Sequence, residues 1–396
     1  MTNYLIVGNG VAGTTAAETI RKQDQEGSIT ILTEEEFPFY YRLRLNEYLR
    51  GDISEDKLQG KKENWYKDQG IDLKLGTRAV KGDPEKQVIE TEDGQTFSYD
   101  CLLLANGGHS FVPPIEGAEK EGVFTVRTLQ DCRDILEYAE HVQKVILIGG
   151  GLLGLEAGNG LRKRGKEVQV LEVFPRLLPR QLDDEGAKRL RIILEDMGFT
   201  FKLGVIAKEI TGTDKAESMV LDSGEELEAG LILISAGVRP NLELAKSLGL
   251  DIDKAVKVDS NLQTSRDNIY TAGAVAEVRR MYYGIWPAAM EQGKMAGMNM
   301  AGSETLYQGT TMANTLKVLG VDLGSAGTID AENKLQTVIT AGEKMYKKIV
   351  IDDRDNIVGC IMLGDTTGFN KVVRAISERQ SFSHSKERLL SVALGL

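Results

Sequence analysis

Residues 145–156 read VILIGGGLLGLE, and this stretch decides the fold of the chain. Four consecutive apolar residues predict a strand that is buried on both faces of a parallel sheet. Gly149, Gly151 and Gly154 then occupy the three glycine positions of a G-x-G-x-x-G pattern, and the apolar spacing up to Arg164 predicts a helix. The first glycine permits the turn, the second lets a pyrophosphate approach the backbone, and the third lets helix and strand pack closely. The stretch therefore predicts a dinucleotide-binding turn.

The next predicted strand ends on an acidic residue. Residues 167–172 alternate between polar and apolar, and Glu172 lies 18 residues after Gly154. That is close to the ~20-residue spacing at which a carboxylate accepts hydrogen bonds from an adenosine ribose. Because this carboxylate would repel a 2′-phosphate, it favours NAD over NADP. The alternative is that Glu172 only caps the edge of a strand.

A second copy of the pattern begins the chain. Residues 4–7 (YLIV) predict another buried strand, and a helix is predicted after the glycines. The turn residues of this copy are Gly8, Gly10, Val11, Ala12 and Gly13. Glu34 follows Gly13 by 21 residues and is the first choice for the ribose, with Glu35 as the alternative. Two complete patterns in one chain predict two dinucleotide sites.

Size and composition exclude several classes of protein. A chain of 396 residues predicts two or three domains. The net charge of −11 argues against general nucleic-acid binding, and no apolar run approaches the ~20 residues that span a bilayer. The first strand begins at Tyr4, which leaves no room for a signal peptide. Three scattered cysteines form no C-x-x-C or metal-ligand spacing, so a cytoplasmic protein is expected.

The rest of the chain indicates a duplication followed by a third domain. Residues 101–107 and 231–237 are both apolar strands that end in small residues, one after each glycine pattern. From about residue 310 short strands and a helix predict a separate α+β domain. Its last stretch has a local excess of three positive charges, from Lys371, Arg374, Arg379, Lys386 and Arg388 against Glu378 and Glu387. Such a run is either a solvated face or a dock for an acidic partner protein.

These residues resemble the flavoprotein pyridine-nucleotide reductases over essentially the whole chain. The resembling stretches are residues 8–13, 41–42, 102–107, 149–156, 170–179, 235–241 (SAGVRPN), 269–277 and 286–293 (WPAAMEQG). Residues 314–321 and 346–365 look like NADH:rubredoxin oxidoreductases and the flavin part of NADH-dependent nitrite reductases. The resemblance implies an α/β fold with two Rossmann-like three-layer domains and a small α+β C-terminal domain. The implied bounds are 1–112 with 238–311 for FAD, 113–237 for NAD, and 312–396.

The resemblance also implies binding residues. For FAD they are the first glycine turn, Glu34 or Glu35, Arg42, Ala79, Val80, Ala105, Asn106, Gly107, Gly273, Ala274, Trp286 and Pro287. For NADH they are Gly149, Gly151, Leu152, Leu153, Gly154, Glu172 and Gly237, and Arg127 is a further nucleotide-binding candidate. Glu156 falls where relatives place an acid close to the nicotinamide, and it is the candidate catalytic residue as an electrostatic tuner.

Three positions depart from the pattern of the relatives. The usual glycine-aspartate pair near the flavin ribityl is Gly273-Ala274, which removes a charge-assisted contact worth about 1.5–3 kcal/mol. The usual A-T-G is Ala105-Asn106-Gly107. Ferredoxin reductases of this type often have a lysine where Glu47 stands, paired with the acid at position 156, and that pair cannot form with an acid. FAD is therefore expected to bind more weakly or to sit differently.

The expected reaction is hydride transfer from NADH to FAD, followed by release of electrons to a small carrier such as rubredoxin or ferredoxin. A flavin suits this role because it accepts two electrons together and releases them singly. An NADH oxidase or peroxidase is discounted, because that group uses a cysteine near residues 40–45 and no cysteine precedes Cys101. A nucleotide-binding interaction module is the second alternative. A homodimer is possible.

Overall fold

The computed structural model describes residues 1–310, 313–318 and 320–384. In the first 110 residues the elements are β1 (Asn3–Val7), α1 (Val11–Gln23), β2 (Ser28–Leu32), α2 (Leu45–Arg50), α3 (Glu63–Asp68), β3 (Ile71–Lys74), β4 (Ala79–Asp83), β5 (Val88–Thr91), β6 (Thr96–Ser98), β7 (Cys101–Leu104) and β8 (Gly108–Ser110).

The elements of the middle of the chain follow the second glycine pattern. They are β9 (Val123–Thr125), α4 (Leu129–Ala139), β10 (Lys144–Ile148), α5 (Leu152–Lys163), β11 (Glu167–Glu172), α6 (Asp184–Asp196), β12 (Thr200–Leu203), β13 (Ala207–Thr211), β14 (Ser218–Leu221), β15 (Glu226–Glu228) and β16 (Leu231–Ile234). The last third contains β17 (Val238–Pro240), α7 (Glu243–Ser247), β18 (Val256–Val258), β19 (Ile269–Thr271), β20 (Ala276–Val278), β21 (Met281–Tyr282), α8 (Trp286–Met300), β22 (Ala313–Val318), β23 (Val321–Gly327), β24 (Gln336–Ala341), β25 (Tyr346–Ile351), β26 (Ile357–Leu363) and α9 (Phe369–Ser377).

The chain forms two compact units. The first consists of Met1–Leu45, Ile53–His109 and Val238–Thr310. The second consists of Asn46–Asp52, Ser110–Gly237 and the described residues from 313 onward. The predicted three-domain division, with bounds at residues 112, 238 and 311, stays a prediction.

The first unit is built around a parallel sheet in the order β19-β7-β1-β2-β3. Successive side chains of β1 enter two different cores, as strand geometry requires. Tyr4 and Ile6 pack in one core with side chains of α1 and α8. Leu5 and Val7 pack in the other with Ile89 of β5 and with α7. The sheet is therefore the middle of three layers.

Helices α1 and α8 pack closely because glycines face small residues. A Cβ added to Gly293 would overlap the carbonyl oxygen of Ala12, and one added to Gly297 would lie 2.7 Å from that of Ala16. In both cases the added Cβ would lie closer to the oxygen than real Cβ atoms do, so these positions need glycine. The contact fixes the first turn of α1 against α8, whose own first residue is Trp286.

The second unit repeats this plan. Its parallel sheet has the order β12-β11-β10-β16-β9, and Ile146 and Ile232 of that sheet pack in one core with Ile210 and Met219 of the antiparallel β13-β14-β15 sheet. A Cβ on Gly158 of α5 would lie 3.2 Å from Leu147, so this helix packs against β10. The predicted duplication and the predicted α/β class are confirmed.

The C-terminal part is an antiparallel sheet in the order β22-β23-β26-β25-β24, with α9 packed on it through Phe369 and Val372. This arrangement confirms the small α+β fold predicted there. Of the predicted basic run, Lys386, Glu387 and Arg388 lie outside the described residues. Among the described helices, none is both long and apolar enough to cross a bilayer.

Candidate functional site

The first glycine turn has the geometry that the sequence pattern requires. Gly8 has a φ of +109°, and its N–H donates to the carbonyl of Leu32 at 2.8 Å. A Cβ on Gly8 would overlap the backbone of Ala105, and a Cβ on Gly13 would overlap the carbonyl oxygen of Gly8. Gly10 differs, because no described protein atom lies within 4 Å of a Cβ built there. The backbone at Gly10 is therefore open at the N-terminus of α1, where N–H groups favour an anion.

The second glycine turn repeats this arrangement. Gly149 has a φ of +110° and donates to the carbonyl of Leu171 at 2.8 Å. A Cβ on Gly154 would lie 2.7 Å from the carbonyl oxygen of Gly149, whereas one on Gly151 meets no described atom within 4 Å. Leu152 and Leu153 begin helix α5 directly after Gly151. The second turn is thus also closed toward the protein and open at its middle glycine.

Glu172 is held at the second turn by backbone hydrogen bonds. Its side chain is buried, and one carboxylate oxygen accepts the N–H of Gly150 at 2.7 Å while the other accepts that of Phe174 at 2.9 Å. Each oxygen can accept more than one hydrogen bond, so both retain capacity for a ligand hydroxyl. This placement suits the predicted ribose role of Glu172. Gly237, three residues after β16, has a φ of +110°, and no described atom lies within 4 Å of a Cβ built there.

In the first unit, a small cavity gathers many of the residues predicted to hold FAD. It is lined by Asn9, Gly10, Val11, Thr33, Glu35, Phe37, Pro38, Tyr40, Arg42 and Trp286. Trp286 contacts two aromatic rings, with centroid distances of 6.1 Å to Phe39 and 6.3 Å to Tyr41. Pro287 follows it in the first turn of α8.

The two acids predicted as alternatives for the first ribose lie in different surroundings. The side chain of Glu34 is 60% exposed, and its carboxylate lies 3.7 Å from Arg78. Glu35 lines the cavity, accepts a hydrogen bond from the Tyr40 hydroxyl and pairs with Arg42. The surroundings of Glu35 therefore suit the predicted ribose role better than those of Glu34, and the role itself stays a prediction.

The remaining predicted FAD residues surround the carboxyl ends of β7 and β19. Asn106 and Asn241 exchange hydrogen bonds, since the amide of each donates to the backbone carbonyl of the other, at 3.1 and 2.8 Å. Gly273 donates to the side-chain carbonyl of Gln292 at 2.8 Å and has a φ of +85°. The other members of this set are buried Ala105, Gly107 with a φ of +65°, and partly buried Ala274.

Three predicted binding residues are not grouped with the others. Ala79 and Val80 begin β4, and neither lines the cavity; Val80 is 37% exposed. Arg127 precedes α4, where its backbone N–H donates to Asp131 as part of the capping of that helix.

The residues present fit FAD at the first turn. The cradle at Gly10 would be filled by any Cβ, and the Nδ2 atom of buried Asn9 has no hydrogen-bond partner among the described residues. A phosphate of the cofactor would meet both features, because it offers oxygen acceptors to N–H donors. Glu35 and Arg42 would hold the adenosine and phosphate parts.

Glu156 has a partner that the sequence analysis missed. Position 47 is an acid, but Arg50, one helical turn later in α2, forms the ion pair with Glu156. Both side chains are largely buried, with 16% and 11% of their areas exposed. Arg50 also donates to Asp52 at 2.7 Å. Within the second unit, Arg50 thus supplies Glu156 with a cation.

Comparison with known proteins identifies related chains. The assimilatory nitrate reductase electron transfer subunit of Bacillus subtilis is 34% identical over 98% of this chain and 50% of its own length. The NADH oxidase of Methanocaldococcus jannaschii is 33% identical over 91% of this chain and 87% of its own. The NADH:rubredoxin oxidoreductase of Clostridium acetobutylicum superposes with a TM-score of 0.84 at 26% identity, covering 96% of both chains. The chain thus spans about half the length of the B. subtilis relative.

Family comparisons cover most of the chain. Residues 2–293 match pyridine nucleotide-disulphide oxidoreductase, and residues 313–380 match the rubredoxin NAD+ reductase C-terminal domain. The family binds FAD and a nicotinamide nucleotide, which confirms the predicted cofactors and the predicted enzyme class. The chain belongs to the pyridine nucleotide-disulphide oxidoreductases and ends in the C-terminal domain of the rubredoxin NAD+ reductases.

Proposed function

We propose that this chain oxidises NADH and passes the electrons to a small one-electron carrier protein of the rubredoxin or ferredoxin type. The observation that carries the proposal is the pair of glycine turns, which are open at Gly10 and at Gly151. The same chain also has the rubredoxin-type C-terminal domain. Bound FAD would supply hydride acceptance and single-electron release. The proposal includes a cytoplasmic location, which the scattered cysteines support.

In this proposal the residues of the chain bind and orient the two nucleotides. Gly149, Gly151 and Gly154 hold the NADH pyrophosphate, and Glu172 holds its adenosine ribose. The Glu172 carboxylate opposes a 2′-phosphate by like-charge repulsion, which supports NADH as the donor. Arg50 keeps Glu156 fixed and charge-balanced in the helix that follows the second turn. Glu156 acts as an electrostatic group and not as a proton donor.

NADH oxidase is the second candidate function. The M. jannaschii relative of that name supports this candidate, because the match covers 87% of that relative's length. Against it stands the absence of any cysteine from the first 100 residues of this sequence, where the thiol-dependent oxidases and peroxidases need one. The two candidates differ only in what accepts the electrons.

Stopped-flow absorbance decides between them. The purified protein should be yellow, should bleach with NADH, and should be reoxidised faster by rubredoxin or ferredoxin than by oxygen. Faster reoxidation by oxygen would favour the oxidase. A colourless protein that binds NADH would refute both and favour an interaction module.

A variant at the second glycine turn tests NADH binding while leaving the FAD site intact. Gly151 has a φ of −82°, which alanine adopts freely, and a new Cβ meets no described atom within 4 Å. Gly151→Ala should therefore fold normally and stay yellow. Its methyl group occupies the approach of the pyrophosphate, so bleaching should need on the order of tenfold more NADH, a loss of about 1.4 kcal/mol.

The docking surface for the carrier can be tested on α9 and the two residues after it. Lys371, Arg374 and Arg379 are exposed, and Arg374 pairs with Glu378 at 2.6 Å. We include this face in the proposal as the dock for an acidic carrier. Charge reversal at Arg374 and Arg379 should slow reoxidation by the carrier and reduce its salt dependence. Unchanged rates would remove the face from the proposal.

A further inference from the structure

The two glycine turns differ at one position. The residue between the first two glycines is Asn9 in the first turn and Gly150 in the second. Asn9 is 8% exposed. At Gly150 there is no side chain, a Cβ would lie 2.7 Å from the Leu177 side chain and force it to shift, and the N–H of Gly150 donates to Glu172. Only the first turn of this pair therefore presents a side-chain amide.

Neighbouring hydroxyl groups fix the orientation of the Asn9 amide. Its Oδ1 atom accepts hydrogen bonds from the hydroxyl of Tyr66 at 3.0 Å and from that of Thr14 at 3.1 Å. The Tyr66 oxygen in turn accepts the backbone N–H of Phe39 at 3.1 Å, so its own proton is available for Asn9. Burial raises the pKa of Tyr66, which keeps that proton in place. With the carbonyl side occupied by two donors, the amino side is left for another acceptor.

The Asn9 Nδ2 atom is buried and has no hydrogen-bond partner among the described residues. Buried donors without a partner are rare in native proteins, and each one calls for an explanation, of which an acceptor on a ligand is one. Asn9 lines the same cavity as Gly10 and Val11, at the N-terminus of the 13-residue helix α1. Asn9 thus lines the place where backbone N–H groups already favour an anion.

We propose that Asn9 Nδ2 donates a hydrogen bond to a pyrophosphate oxygen of FAD, and that Tyr66 and Thr14 hold the amide in position for it. The cradle for NADH lacks this ligand, because Gly150 has no side chain. The difference helps the first nucleotide stay bound through many turnovers while the second exchanges at each one. This inference rests on the proposed function, in which FAD occupies the first turn and NADH the second.

The test measures release of FAD from the full-length holoprotein, followed as the rise of flavin fluorescence on dilution. Asn9→Leu keeps the size of the side chain and removes its polar atoms, so the FAD dissociation constant should rise at least tenfold. Asn9→Asp places a carboxylate beside the phosphate and should weaken FAD further, with partial recovery at high salt. Tyr66→Phe keeps the amide and should weaken FAD only severalfold. The NADH dissociation constant, measured on FAD-saturated protein, should be unchanged in all three.

Binding of ADP to the full-length chain stripped of FAD separates a phosphate contact from a flavin contact. ADP contains the pyrophosphate but no flavin, so Asn9→Leu should weaken ADP by about the same factor as FAD. Equal FAD release from Asn9→Leu and wild type would overturn the inference, and so would a loss confined to FAD. If Asn9→Leu does not fold, Asn9→Ser takes its place with the same criteria. A wild-type protein that binds no FAD would overturn the proposed function as well.

Discussion

Lys348→Met should loosen strand β25 within the second unit. The Lys348 side chain is fully buried, and its ammonium group uses all three protons. They go to the carboxylate of Asp183 at 3.0 Å, the backbone carbonyl of Asp330 at 2.9 Å and the side-chain carbonyl of Asn333 at 3.0 Å. Asp183 is the N-cap of α6, so this ammonium ties β25 to that helix.

The expected loss follows from what the substitution leaves behind. Among the described residues, Asp183, with 5% of its side chain exposed, would keep the Tyr346 hydroxyl at 2.7 Å and the Gly186 N–H at 3.0 Å as its partners. Removing one partner of a buried ion pair costs about 3–5 kcal/mol, because the other charge stays out of water without compensation. Methionine fills a similar volume, so a cavity adds little to this loss.

Amide hydrogen exchange of β25, read by mass spectrometry, measures the loss where it occurs. Tryptophan fluorescence does not serve here, because Trp65 and Trp286 both belong to the first unit. The free energy of exchange for β25 should fall by about 3–5 kcal/mol. Lys344→Met is the matched control, since Lys344 pairs with Asp196 of the same helix at 3.4 Å, with both side chains about 60% exposed. Its loss should stay below about 1 kcal/mol.

A Lys348→Met protein that exchanges like the Lys344→Met control would refute the reasoning. The double variant Lys348→Met with Asp183→Asn supplies a second check. Because it removes both charges together, it should be less destabilised than the two single losses summed, by about 1–3 kcal/mol. Simple additivity would mean that the two groups do not interact.

Three further changes probe the nucleotide sites and the C-terminal sheet. Arg50→Met should raise the KM for NADH and lower kcat on the order of tenfold, because Glu156 loses the buried charge of Arg50. Arg50→Lys should recover part of both effects. Steady-state kinetics that leave both constants unchanged would contradict this. The hydrogen bond from Lys347 lowers the pKa of Asp365 from 3.8 to about 2. The pair therefore stabilises the fold above about pH 4, and this stabilisation is lost as the pH falls toward about 2. The free energy of unfolding of Asp365→Asn should not show this decrease between about pH 4 and pH 2. Gly13→Ala should lower the melting temperature and empty the FAD site, since its methyl group overlaps backbone, and a normal melting curve would argue against the closed turn.

Local patterns were enough to predict the two Rossmann-like units. The glycine turns, the apolar strands before them and the acid after each lie within about 30 residues, where the spacing along the chain constrains the geometry in space. The closed and open glycines then follow from backbone sterics, as Gly13 and Gly10 illustrate. The C-terminal α+β fold was also predicted, because its short strands are separated by turn residues in the sequence.

Contacts between distant residues were beyond the same reasoning. Arg50 and Glu156 are 106 residues apart, and no local pattern connects α2 with α5. The sequence could not decide between Glu34 and Glu35 as the ribose ligand either, because a shift of one residue reverses the side on which a side chain lies. Asn9 was visible inside the glycine pattern, but its role depends on Tyr66, which comes 57 residues later.

The short segment Asn46–Asp52 has a consequence for dissecting the protein. It clusters with the second unit although the residues on both sides of it belong to the first. Leu49 covers Gly160, where an added Cβ would lie 3.0 Å from that of Leu49, and the Leu49 carbonyl accepts a hydrogen bond from Arg164 at 2.6 Å. A gene fragment cut to encode only residues 110–237 would therefore yield a product with an uncovered α5 and without the Arg50–Glu156 ion pair. Excising the part that contains the second glycine turn requires grafting this heptapeptide back.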